Sequence, residues 1–189
     1  GSESGRPLSV LRSFHAPPAE TLSDPTALRD QISATVSGLL GMIGVDADPV
    51  QSREHILLSS LFAHAWGAKQ DLDLPAIIQS VQKPPFEKVG LFDLETFYPT
   101  KERAQLAMAL NHLLAAPGFG AWMHGAPLDV QRLLFGEQGK PRISIISIAH
   151  LNDAERMFVV TLVLSEIVTW MRRQSGTSSL RAIVYMDEI

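Results

Sequence analysis

Ala182-Ile183-Val184-Tyr185-Met186-Asp187-Glu188-Ile189 is the stretch on which the fold reading turns. A short, continuous apolar run rich in β-branched and aromatic residues is the pattern of a buried parallel strand. Its carboxyl end carries an acidic pair, and that end is where open α/β sheets bind their ligands. Two adjacent carboxylates at a rigid strand end suit nucleotide hydrolysis: one supports Mg²⁺, the other polarises the attacking water. The phosphate-cradling loop G-x-x-x-x-G-K-[ST] that accompanies such a pair is absent from these 189 residues.

Working upstream, Gly176 punctuates the end of a long apolar helix carrying Met157, Phe158, Val160, Leu164, Ile167, Val168 and Met171. Arg172 and Arg173 fall in its last turn, favourable to the helix dipole. Asn152 and Glu155 have capping-box spacing at its start. Before it, Ile143-Ser144-Ile145-Ile146-Ser147-Ile148 reads as another strand from its β-branched content. Strand, helix and strand make a βαβ unit with an expected right-handed crossover.

The remainder reads as helical. Asp24-Pro25 predicts an N-cap and first turn, followed by Leu28, Ile32, Val36, Leu39, Leu40 and Ile43, with Gly44 as the stop. Asp48-Pro49 repeats the device before a helix bearing Ile56, Leu57, Leu61, Phe62, Ala65 and Trp66, ended by Gly67. Asp73-Leu74-Pro75 opens a third helix. Residues 90–97 read as a loop, 100–116 as a helix carrying Leu106, Leu110, Leu113 and Leu114, and 128–134 as a further short helix. Residues 8–14 alternate loosely and suit a short strand of the same sheet. The expected organisation is a tag over 1–7, a possible core strand and linker over 8–23, a helical insertion over 24–136, and a partial α/β ATPase core over 137–189.

Hydrophobic residues make up 46% and charged residues 19%, enough for a real core. The net charge of −4 gives no electrostatic argument for nucleic-acid binding by these residues. Cysteine is absent, which removes disulfides and thiolate metal sites and fits a reducing, cytoplasmic compartment. No apolar run reaches the ~18 residues of a membrane-spanning helix, and the polar start shows no signal peptide. Gly1-Ser2 reads as a remnant of cloning, and the stop at Ile189 as a constructed or processed boundary.

Residues 140–189 resemble the HerA/FtsK-like superfamily of P-loop ATPases, the HerA-like bacterial branch in particular. The resemblance is carried by Pro141 through Leu151, by Asp153-Ala154-Glu155-Arg156-Met157-Phe158, by Trp170-Met171-Arg172-Arg173-Gln174-Ser175-Gly176, and by Ser179-Leu180-Arg181-Ala182 leading into Asp187-Glu188. Leu128-Asp129-Val130-Gln131-Arg132-Leu133-Leu134 and Gly139-Lys140 resemble the stretch that precedes this region in the family. The resemblance is weaker over the helical block. It implies a ring-forming, typically hexameric ATPase that translocates DNA, with ATP and Mg²⁺ as ligands. Asp187 would be the Walker B carboxylate that orients Mg²⁺ through water, and Glu188 the residue that activates the attacking water. Without a Walker A loop, this chain is expected to be inactive alone and to bind no nucleotide.

Other polar residues carry plainer readings. His150 lies near Asp153 and Glu155, but this spacing favours a loop histidine beside capping acids over a metal site. Its place after a strand keeps a location near nucleotide or a neighbouring subunit open. Arg156 suits a surface ion pair better than a phosphate contact. Arg172, Arg173 and Arg181 cluster at the helix end opposite the carboxylates. Glu54-His55, His64, His112 and His124 invite a hydrolase reading, yet G-x-S-x-G and H-E-x-x-H are both absent. Trp66, Trp122 and Trp170 are too far apart for a base-stacking platform and read as packing residues. Gly118-Phe119-Gly120 is too short for a phosphate loop. The alternative to a motor fragment is a non-enzymatic helical domain that mediates interaction or oligomerisation through exposed apolar strand edges.

Overall fold

A helix-capping aspartate opens the helical body. In the computed structural model, which describes residues 8–9, 14–115, 125–136 and 139–187, the Asp24 carboxylate accepts from the amides of Thr26 and Ala27. This N-cap follows the short α1 (Ala19–Ser23) and starts α2 (Pro25–Met42). Gly44 stops α2 at a φ of +73°, with Val45 N–H donating back to the Leu40 carbonyl. The Asp48 carboxylate instead closes a turn, accepting from Val50 and Gln51 amides, so α3 (Arg53–Gly67) begins after Ser52 and not at Asp48-Pro49. Asp73 caps α4 (Leu74–Gln82) through the Ala76 amide. Residues 90–97, expected as loop, instead complete a hairpin of two-residue strands, β2 (Lys88–Val89) and β3 (Phe92–Asp93), and form the single-turn α5 (Leu94–Phe97). Gly90, at φ +59°, supplies the left-handed turn. Next comes α6 (Thr100–Ala115).

The principal core lies among α2, α3, α4 and α6, where Val36, Leu39, Leu40, Leu57, Phe62, Trp66, Ile77 and Leu110 are fully buried. Phe62 lies edge-on to Trp66, with ring centroids 5.1 Å apart. The Trp66 indole N–H donates to the Phe14 carbonyl at 3.0 Å, which ties the chain before α1 onto this body.

The C-terminal third corrects the expected α/β fold. The protein is mostly helical, and no parallel βαβ sheet forms among the described residues. Among the described residues, strand pairing comprises the β2–β3 hairpin, a two-residue parallel pair, β1 (Leu8–Ser9) with β4 (Ala126–Pro127), and an isolated antiparallel bridge between Phe135 and Pro141. Residues 143–148 and 181–187 form no strand, so the expected partial P-loop sheet is not formed among the described residues. The physical reason is that a strand is completed by a ladder partner, which β-branched composition does not supply.

The long helix is present. After the short α7 (Val130–Leu134), capped by Asp129, α8 (Asp153–Arg172) starts with the full capping box between Asn152 and Glu155. It packs along α2, with Phe158, Val159 and Leu162 buried against Leu128 and Leu151 in a second, smaller core. Gly38 of α2 makes the approach possible: a Cβ there would lie 2.7 Å from the Phe158 ring. Residues from the expected insertion and from the expected ATPase core thus share one helix–helix interface.

Candidate functional site

The acidic end of the chain is the first candidate. Residues 181–187 run extended, and Ile183 and Tyr185 are 74% and 82% exposed. Asp187 is exposed, and its Oδ1 lies 3.5 Å from the Tyr185 hydroxyl. Glu188 lies outside the described residues. Among the described residues no group of three or more His, Asp or Glu could hold a metal ion. Asp187 and Tyr185 by themselves do not make a Mg²⁺ site. In the segment 143–148, Ile143 and Ile145 are 91% and 90% exposed, while Ile148 packs against the second core.

His150 is exposed in the turn before α8. Its acidic neighbours are engaged elsewhere: Glu155 in the capping box, and Asp153 with Arg156 at 3.5 Å. The arginines at the far end of α8 stitch helices together. Arg172 reaches Asp30 of α2 at 3.8 Å, and Arg173 donates to Thr21 Oγ1 of α1 at 3.1 Å. Arg181 donates to the Ser175 carbonyl and to Gln174 Oε1.

His55 is the buried polar centre of the α2–α3 interface. Its Nε2 pairs with Ser37 Oγ and its Nδ1 with Ser59 Oγ, each at 3.1 Å, and the residue is 2% exposed. Burial pushes its pKa below the ordinary value, against the raising effect of local backbone and of Asp48. The Ser37–His55 contact resembles a nucleophile–base pair. Ser37, however, sits mid-helix, where backbone N–H groups are committed to the helix and cannot form an oxyanion hole. The contact therefore serves packing. Glu54 accepts from the Tyr98 hydroxyl at 3.2 Å, and burial with Glu54 nearby raises the Tyr98 pKa. His64 and His112 are exposed, and His64 meets Phe86 edge-on. His124, Trp122 and Gly118-Phe119-Gly120 lie outside the described residues.

A second polar convergence escaped sequence reasoning. A cleft of about 270 Å³ opens where α2, the start of α7 and the second half of α8 meet. Its polar lining includes His15, Gln31, Asp129, Glu166, Trp170 and Arg173. Gln31 and Glu166 come together only because α8 lies on α2, and no spacing in the sequence signals that.

Comparison with protein-family models, with curated proteins and with solved structures returned no match. No helix among the described residues is long and apolar enough to cross a membrane.

Proposed function

We propose that this chain works as one part of an ATP-driven, DNA-translocating motor of the HerA-like kind. It contributes Asp187 and Glu188 to a nucleotide site that polypeptide beyond the described residues completes. The observation that supports this reading is the exposed apolar segment 182–186 leading directly to Asp187. An isoleucine, a valine, a tyrosine and a methionine left in solvent side by side mark a surface meant to be covered. Ile143 and Ile145, in the stretch that precedes α8 along the chain, are likewise exposed. These two stretches are also among the residues that carry the family resemblance. The phosphate loop, the ring partners and the DNA contacts would come from elsewhere in the assembly.

The reading is tested in two steps. This chain alone should give no heat with Mg²⁺-ATP by titration calorimetry; tight binding would refute the divided site. In a polypeptide that carries this sequence together with a phosphate loop, Glu188→Gln should retain ATP binding and abolish turnover. Undiminished turnover would remove Glu188 from that role, and with it the motor reading.

A second reading, a non-enzymatic assembly domain, is favoured by α8 itself. Its Met157, Leu164, Val168 and Met171 remain exposed while its other face holds α2. Size-exclusion with light scattering separates the two. Self-association that survives in Ile143→Lys/Ile145→Lys but is lost in Val168→Lys/Met171→Lys would favour assembly through α8.

A further inference from the structure

The face of α8 turned away from α2 carries a periodicity of its own. Ala154, Met157, Thr161, Leu164, Val168 and Met171 recur at alternating intervals of three and four residues. That is the a/d seam of a coiled coil, sustained over more than two heptads. Met157, Leu164, Val168 and Met171 are exposed, at 59%, 36%, 46% and 60%. Val160 and Ile167 flank them and widen the apolar band to roughly 120° of the helix surface. Glu166 is the only charged residue between Met157 and Met171, and it lines the cleft on the α2 side. We propose that this seam docks a second copy of the chain, with the two α8 helices antiparallel about a two-fold axis. Such docking rests on the assembly reading and names its partner.

A seam spaced for knobs-into-holes packing takes a helix of the same spacing, and α8 is such a helix. In the reversed register that covers the whole seam, Met157 faces Val168 of the second copy, Thr161 faces Leu164 and Ala154 faces Met171. Each contact occurs twice, as a two-fold interface requires. The charges set the direction. In the first turn Asp153 pairs with Arg156, and Glu155 accepts from the Asn152 amide, which leaves that end negative. At the other end Arg172 pairs with Asp30, but Arg173 donates to the Thr21 hydroxyl and Arg181 to oxygens of Ser175 and Gln174, all uncharged, which leaves that end positive. Antiparallel docking sets each end against its opposite and opposes the helix dipoles; parallel docking would set like against like. Phe158, Val159 and Leu162, which hold the second core, lie on the other side of α8, so docking leaves that core intact.

The chain has no cysteine, so introduced thiols report without background. Met157→Cys and Val168→Cys are made singly, and each is oxidised alone and after mixing with the other. Across an antiparallel seam the two positions are opposed, whereas each stands about 16 Å along the axis from its own copy. A disulfide needs Cα atoms within about 7 Å, so the mixture should link and the single variants should not. Light scattering of the unsubstituted chain over a concentration series should show a monomer–dimer equilibrium. Val168→Lys/Met171→Lys, with unchanged circular dichroism, should raise its Kd by about tenfold or more, because each buried lysine enters the interface twice. Linkage within the single variants overturns the antiparallel arrangement. Dimers that leave the mixture unlinked, or whose Kd the lysines do not move, overturn this seam and leave assembly through another face. A monomer at every concentration overturns the seam and self-association together.

Discussion

Gly38→Ala measures directly how α8 is held. In the middle of a helix, glycine to alanine normally stabilises by about 0.5–1 kcal/mol through backbone entropy. At Gly38 the new methyl carbon would sit 2.7 Å from Phe158 Cδ2 and 3.1 Å from Cε2. Phe158 is 3% exposed and enclosed by Leu128, Leu151 and Leu162, so its ring has little room to withdraw. Overpacking of this kind costs ~1–3 kcal/mol, which exceeds the propensity gain. Gly41, three residues on in the same helix, supplies the control, since a Cβ there meets nothing within 4 Å. Gly41→Ala should be neutral to stabilising, and Gly38→Ala should lie about 1–3 kcal/mol below it. By thermal unfolding that separation is roughly 2–12 °C for a chain of this size. Phe158→Leu in the Gly38→Ala background should recover most of the loss. If Gly38→Ala stabilises as much as Gly41→Ala, then α8 does not lie on α2 in this register, and the cleft beside it falls as well.

Three further outcomes are expected. His55 is neutral where it is buried, and its folded pKa is lowered from 6.5. Below that value the unfolded chain takes up a proton that the folded one resists, so stability present above pH 6.5 is lost as pH falls through the folded pKa. His55→Gln should flatten the melting temperature between neutral and mildly acidic pH, and an unchanged slope would assign it to other groups. Lys69 holds a φ of +57° after α3, so Lys69→Gly should stabilise by up to about 1 kcal/mol in urea titration; destabilisation would mean its side chain is needed. Asn152→Ala removes half of the capping box and should cost about 1 kcal/mol, with hydrogen exchange rising first in the opening turn of α8; protection there equal to that of the unsubstituted protein would exclude the cap.

What was legible in the sequence was local chemistry. Asp24-Pro25, Asp73-Leu74-Pro75 and Asn152 with Glu155 each begin a helix because a side-chain oxygen meets amides a few residues away. The same chemistry misled at Asp48, whose carboxylate satisfies a turn and leaves α3 to start after Ser52. Residues 90–97 do not read as a hairpin and helix turn because one glycine, Gly90, suffices to turn strands of only two residues. The cleft was invisible because Gln31 and Glu166 meet only through tertiary packing.

The expected sheet failed for a different reason, and α8 supplies the link. A helix that is apolar on several sides is stable only when several sides are covered. Here α2 covers one side through Phe158, Val159 and Leu162, and the residues flanking α8 that could cover another, 143–148 and 181–187, are mostly exposed, although Ile148 rests on the second core. Joining those two segments to each other alone would leave two open ladder edges with most of their apolar surface wet, so isolated pairing gains little. Adding strands from outside would bury Ile143, Ile145, Ile183 and Tyr185 together and satisfy both edges. Composition thus states a requirement for burial that the described residues do not meet. Covering of that apolar surface is what the proposed motor and the proposed assembly domain would both have to supply.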